Sequence, residues 1–395
     1  MKRRRFLASA TSVAASGLAF ADPAETRRVG VIGHTGRGNY GHGLDTVWLN
    51  LPDAEIAGVA DPDSEGLKKE LGKLKLGGDE GFSDYRTMLA EVKPEFVAVC
   101  SRHADQHRDM CLAAIEAGAR GIYVEKPFVR TPREADEVIA AAEKAGTKIA
   151  VAHRNRYHPA LATIDRFMAE GKLGKLLEIR GRGKGDRRGG AEDLWVLGTH
   201  VLNLVHYFGG EPETCSAAML DEGESVTRDD VVPDGSEGLG PLAGDELHAR
   251  YAMSGGVVAT FDSIANDGTA GHGFGLVLVG SEGVINIRAD RDPVAHFLAG
   301  NPFEPFTEPK AWRPITSAGV GEKETQPEVV AEVRNHVAAV RDLIEAVDED
   351  REPLCSARDA AVTVEMVCAV FESHRQEGKA VAFPLAQREN ALTRL

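Results

Sequence analysis

The order of apolar segments predicts two domains, an α/β domain with a parallel sheet and then an α+β domain with an open, largely antiparallel sheet. Three observations carry this expectation. Short apolar runs alternate with helix-period segments from Arg28 to about Ala152. The first run, Val29-Gly-Val-Ile, enters a glycine-rich turn, Gly33-His-Thr-Gly36-Arg-Gly38. Beyond Pro159, paired runs flank tight glycine-containing turns, as hairpins do. A chain of 395 residues also exceeds what one hydrophobic core usually serves.

The parallel strands are placed at Val29–Ile32, Glu55–Ala60, Phe96–Cys100, Gly121–Val124 and Lys148–Ala152. Between them, Met110–Glu116 has helical periodicity. Pro132–Ala145 carries a full set of helix signals: Thr131 as N-cap, Pro132 at N1, Glu134 at N3 and Gly146 as C-cap. In the second domain a helix at about 160–170 leads to a strand, Leu176–Arg182, then a Gly/Arg/Lys-rich loop, Gly183–Gly190, and a helix from Trp195 to Tyr207. Residues 221–244 are acidic and rich in Gly and Pro, and read as exposed loop. Glu246–Met253 with Val257–Phe261, and Gly275–Val279 with Val284–Ile287, form hairpins; 292–324 reads as irregular. Two helices, Pro327–Asp348 and Ser356–Glu377, close the chain, and the spacing of Val330, Val333, Val337, Val340 and Ile344 predicts one buried face that returns to the first domain.

Residues 1–21 have the form of a targeting segment: a basic head, Lys2-Arg-Arg-Arg5, a mildly apolar run to Phe20, and a small-x-small site at Ala19-Phe-Ala21. Arg3-Arg4 followed by Phe6-Leu7 looks like a twin-arginine signal, which predicts export to the periplasm and no stable membrane anchor. The formal charge of the whole chain is −15, and removing that segment makes it more acidic still. Such a surface repels phosphate backbones and anionic lipid, so nucleic acid is not an expected partner. Cys100, Cys111, Cys215, Cys355 and Cys368 are widely spaced and mostly lie in apolar runs, which fits buried free thiols better than disulfides.

A strand, a glycine-rich turn and then Asp61 at the end of the next strand are how a protein holds a dinucleotide. Gly33, Gly36 and Gly38, with Thr35 and Arg37, would let the backbone approach a diphosphate, and the next helix would offer free N–H groups. Asp61 would accept from the adenosine ribose; it favours NAD over NADP, because a 2′-phosphate would meet a like charge. The match to G-x-G-x-x-G is imperfect, since Thr35 takes the middle position, and a plain tight connection is the alternative.

Glu125-Lys126-Pro127 follows the Gly121–Val124 strand, at the end of the sheet where open α/β folds bind ligands. Lys126 there is a candidate to assist deprotonation of a substrate hydroxyl; a surface charge is the plain alternative. His200 and Asn203 share a helix face, and His200 is a candidate proton carrier. Arg156, Tyr157, Asn203 and Trp195 are the candidate substrate contacts. Glu125, Lys126, His103 and His107 complete the cofactor set. The cluster His153–Pro159 is equally readable as an interdomain hinge. Histidines and arginines without a carboxylate pair make a poor divalent-metal site, so no metal is expected. Neither a G-x-S-x-G elbow nor paired carboxylates beside His200 suggests ordinary hydrolysis.

Together these residues resemble the glucose–fructose oxidoreductase, inositol dehydrogenase and rhizopine-catabolism oxidoreductase family. The Gly33–Gly38 turn, Val59-Ala-Asp61, Asp84-Tyr85 through Leu89, Glu125-Lys-Pro127, Arg156-Tyr157-x-Pro159 and Gly198-x-His200-x-x-Asn203 fall in the family's order, over essentially everything after residue 27. The resemblance implies a Rossmann domain at 22–155 and an α+β domain at 156–395 whose open sheet mediates homo-oligomers. It implies nicotinamide-dependent chemistry on a hydroxyl of a sugar, polyol or derivative, with Lys126 in the catalytic-lysine position and His200 in that of the proton relay. Two departures stand out: Val196 where the family commonly has an acid, and Asn203 where another often lies. Asp193, Glu192 or the substrate is left to set the histidine's state. Some exported members resemble this chain in their twin-arginine signal and use a retained nicotinamide cofactor for redox-neutral glycoside cleavage. That is the second expectation, and a non-catalytic carbohydrate-binding or scaffolding role is the third.

Overall fold

The structure, a computed structural model, describes residues 26–395; the targeting segment expected at 1–21 lies outside the described residues. Six strands, β1 (Arg27–Ile32), β2 (Ala54–Ala60), β3 (Gly81–Phe82), β4 (Phe96–Val99), β5 (Gly121–Val124) and β6 (Lys148–Val151), pair in parallel in the order β3-β2-β1-β4-β5-β6. β4 and β5 are buried along their whole length, the pattern of a parallel sheet covered on both faces. The strand order reverses between β1 and β4, and the crevice opens at that switch point. Helices α1 (Ser64–Leu74), α2 (Tyr85–Val92), α3 (His107–Glu116) and α4 (Pro132–Ala145) make the crossovers. α4 forms as its sequence dictates: Thr131 Oγ1 accepts from the Glu134 N–H at 3.1 Å, and Gly146 closes the helix at φ +74°.

One expected helix is absent. No α-helix follows the glycine-rich turn, only a 3₁₀ turn at Val47–Asn50. Five glycines between residues 33 and 43 explain this, because each costs a helix about 1 kcal/mol relative to alanine. Val47 and Trp48 instead pack with a helix from the far end of the chain (Val337–Asp348) over Val29, Phe96 and Tyr123.

In the second domain α5 (Ala160–Ala169) precedes β7 (Leu176–Arg182), and a continuous helical run follows: α6 (Gly190–Asp193), a π-helical turn (Leu194–Gly198) and α7 (Thr199–Gly209). Then come β8 (Pro212–Asp221), β9 (Glu224–Ser225), β10 (Glu246–Met253), β11 (Val258–Ile264), β12 (Gly275–Gly280), β13 (Gly283–Arg288), β14 (Ala295–Ala299) and β15 (Arg313–Ile315). With β16 (Val381–Ala382) they form an open sheet, antiparallel except where β7 runs parallel to β11. Alternate residues of β10 and β11 are buried, so one face packs on α7 and α10 (Ala357–Arg375) while the other carries polar side chains such as Arg180, His248 and Arg250.

Three expectations need correction. β14 and β15 lie in the stretch read as irregular, and β8 was not anticipated. The single helix expected at Pro327–Asp348 is two, α8 (Pro327–Arg334) and α9 (Val337–Asp348), broken at His336, whose φ is +64°. The break lets the His336 Nδ1 meet the Tyr123 hydroxyl at 2.6 Å while α9 lies on β5 and β6. All five cysteines are free and buried.

Candidate active site

Lys126, at the end of β5, is nearly buried, and its ammonium donates to the Val196 carbonyl at 3.0 Å. That carbonyl belongs to the π-helical turn, a helix irregularity frequent at functional sites. The position where the resemblance implies an acid therefore meets Lys126 through its backbone. Burial lowers the Lys126 pKa from its ordinary value; Glu125 and Glu237 oppose that, while Arg102 and Arg188 add to it.

His200 begins α7, half-buried, with its ring edge-on to His153 at 5.3 Å between centroids. Burial, then the charges of Lys126, His153, Arg154 and His42, hold its pKa well below the ordinary value. Its Nδ1 has no partner among the described residues. The expectation that Asp193 tunes it fails: Asp193 accepts from Ser263 Oγ at 2.7 Å and from the Lys184 N–H at 3.2 Å, fastening the Gly183–Gly190 loop to β11.

The expected substrate contacts sit deeper than their spacing suggested. Trp195 has no exposed surface and packs on Phe371 of α10. Asn203 is equally enclosed: its amide donates to Thr363 Oγ1 at 3.2 Å and accepts from Arg156 at 3.5 Å. Arg156 stacks over Tyr207 and donates to the Leu354 carbonyl, and burial raises the pKa of Tyr157. α10, packed on α7, encloses Trp195 and Asn203 through Phe371 and Thr363.

On the cofactor side, a cleft of about 190 Å³ at the ends of β1 and β2 is lined by Gly33, His34, Asp61, Asp84, Tyr85 and Met110. Gly36 and Gly38 both hold φ +84°, and a Cβ built at Gly36 meets nothing within 4 Å. The turn is closed on itself, against the expectation of free N–H groups. Asp61 accepts from the Thr35 N–H at 3.1 Å, Thr35 Oγ1 at 2.7 Å and the Asp63 N–H at 2.9 Å, while the Gly36 and Arg37 N–H groups bond to Asn39 and His34. His107 is also corrected: it is buried, and both ring nitrogens face backbone carbonyls, of Pro127 at 2.8 Å and Ser101 at 2.6 Å, so it braces the Glu125–Pro127 loop. His103 stays at the turn, packed where a Cβ on Gly38 would lie. The cleft, the open glycine and the switch-point position fit an adenosine half.

Residues 221–244 are largely exposed or half-buried, as expected, but they also touch the first domain. Glu237 pairs with Arg102, Gly238 lies against Asp105 and His103, and Asp105 pairs with Arg37 of the turn at 2.7 Å. This strap from the second domain rests on the first. Arg102, Glu237 and His42, which contacts the Glu125 carboxylate, were all missed from sequence. Five glycines in eleven residues were the available signal for His42, because such a segment must stay a loop at the strand ends.

Two outcomes follow. Asp61→Ala releases Thr35 and opens the turn, so NADH affinity falls about tenfold or more, read by fluorescence titration. The buried histidines also make stability pH-dependent. Burial lowers His153 from 6.5 to about 3 and His336 to about 4. A depressed histidine adds stability above the unfolded value that is lost as pH falls toward the folded one. Each should therefore cost about 3 kcal/mol by about pH 4, and His153→Gln should flatten the fall of the urea midpoint below pH 6.5.

Residues 27–153 match the NAD-binding Rossmann fold of the GFO_IDH_MocA oxidoreductase family, and residues 166–383 match its C-terminal alpha/beta domain. D-apiose dehydrogenase of Paraburkholderia graminis is 26% identical over 355 residues, covering 87% of this chain and 86% of that protein. Levoglucosan dehydrogenase of Pseudarthrobacter phenanthrenivorans is 23% identical over 317 residues, covering 70% and 78%. A solved levoglucosan dehydrogenase, in complex with NADH and levoglucosan, shares the fold with a TM-score of 0.69 at 20% identity, over 91% of this chain and 99% of that one. With both of its domains matched, the chain belongs to the GFO_IDH_MocA oxidoreductase family.

Proposed function

We propose that this oxidoreductase uses NAD(H) to oxidise or reduce a hydroxyl-bearing carbon of a sugar, polyol or derivative. The observation that carries the reading is Lys126, a buried amine at the end of β5 whose ammonium lies on the Val196 carbonyl, in the turn that leads into α7 and His200. Bound in the crevice, NAD supplies a hydride acceptor. Lowered by burial, the Lys126 amine has a larger uncharged fraction near neutral pH, which takes a hydroxyl proton, and its protonated form holds the oxygen. His200, kept neutral by burial, relays a proton by accepting on one ring nitrogen as it releases from the other. Asp61 favours NAD over NADP. Relatives named for D-apiose and levoglucosan support a carbohydrate substrate.

The finer reading is an exported, periplasmic enzyme that keeps its cofactor. The twin-arginine pattern at Arg3-Arg4 supports export, and the strap on Arg102 and Asp105 supports slow release. The open sheet is the surface proposed for a homo-oligomer. The test incubates the purified protein and NAD with free sugars and aryl glycosides, following nicotinamide absorbance and aglycone release separately. Net NADH formation supports the oxidoreductase. Aglycone release without net cofactor change supports redox-neutral glycoside cleavage, and neither signal, with no nucleotide bound, supports a binding or scaffolding role.

A further inference from the structure

We propose that His42 is a positioning residue of this site: it fixes the Glu125 carboxylate, and through that carboxylate it sets the state of Lys126. The inference rests on the reading of Lys126 as the group that handles the substrate's proton. Among the described residues no carboxylate bonds to His200: Val196 stands at the position where the resemblance implies an acid, and Asp193 is bound to Ser263 and Lys184. The histidine–carboxylate pair next to Lys126 is instead His42–Glu125, contributed by the glycine-rich segment.

Three observations support this. Glu125 is almost fully buried; one oxygen contacts His42 Nδ1, and the other accepts from the Lys126 backbone N–H at 2.7 Å. The segment is shaped around that carboxylate, since a Cβ on Gly41 would lie 2.2 Å from Glu125 Oε1, and the Gly41 N–H is anchored to the Cys100 carbonyl at 2.6 Å. His42 itself sits at φ +28°, a conformation side chains rarely adopt, while its ring stays about half exposed. A strained, glycine-flanked histidine held on a buried carboxylate beside the site lysine is better explained by function than by packing.

Burial would raise the Glu125 carboxyl, but the His42 contact and the charges of His42, Lys126 and His336 outweigh it and hold the carboxyl at about 2. Glu125 is in turn the largest influence keeping Lys126 charged, ahead of Glu237, against burial and the charges of Arg102 and Arg188. Without His42, the buried carboxylate loses the contact that does most to hold it charged, which favours its protonation or displacement. Either change removes negative charge from beside Lys126.

The test titrates Lys126 directly and needs no substrate. In protein labelled with ¹⁵N-lysine, the Nζ resonance that disappears in Lys126→Met is followed against pH. His42→Ala should lower its midpoint by about one unit or more, and Glu125→Gln should do the same. Combining the two should add nothing. Gly41→Ala, which keeps His42 but displaces the carboxylate, should also lower the midpoint, so the claim stays testable if His42→Ala does not fold. NADH affinity and the far-UV spectrum check the fold of each variant. An unchanged midpoint in folded His42→Ala, or an equal further drop when His42→Ala is made on Glu125→Gln, would overturn the proposal. If the midpoint moves as described but no sugar is oxidised, the function fails and the positioning role stands.

Discussion

Lys126→Met lowers kcat/KM by about 10³- to 10⁴-fold while NADH binds within a few-fold of wild type. Methionine nearly matches the length of the lysine and suits its surroundings, because Lys126 is buried at the end of β5 with its ammonium on the Val196 carbonyl. The substitution leaves that carbonyl one donor short, a cost of about 1 kcal/mol, but also relieves the burial of a charge. Stability should therefore change little, and the loss should be of chemistry. Steady-state kinetics paired with an NADH titration separate the two. Turnover like that of wild type would remove Lys126 from the mechanism.

His200→Ala is the second large effect, about 10²-fold in kcat with KM nearly unchanged. It should be smaller than the Lys126 loss because, among the described residues, no carboxylate bonds to His200, so its imidazolium is little stabilised. kcat and KM measured separately decide it. A drop of less than about threefold would make His200 a wall of the crevice.

What sequence revealed and what it hid divide along one physical line. α4 was readable to the residue because Thr131, Pro132, Glu134 and Gly146 act locally, each on its own helix end. The parallel strands were readable because burial on both faces makes continuous apolar runs. The Lys126 and Asp61 positions were readable because each ends such a strand. Burial by distant elements was not. Trp195 and Asn203 look like crevice residues until α10 supplies Phe371 and Thr363 against them. His107 looks like a ligand until the carbonyls of Ser101 and Pro127 enclose its ring. At the helix break His336 meets the Tyr123 hydroxyl, 213 residues away in sequence. The missing helix after the turn was legible, since its five glycines argue against helix, but the dinucleotide pattern overrode that local signal.

The central claim is that a hydride passes between a carbohydrate C–H and NAD in the crevice at Lys126. The most direct measurement incubates the protein with NAD and sugars or polyols carrying deuterium on their hydroxyl-bearing carbons, then weighs the recovered nucleotide. The account predicts deuterated NADH with at least one of them, absent in Lys126→Met, which still binds the nucleotide. Oxidised sugar formed with no deuterium on the nucleotide would contradict it.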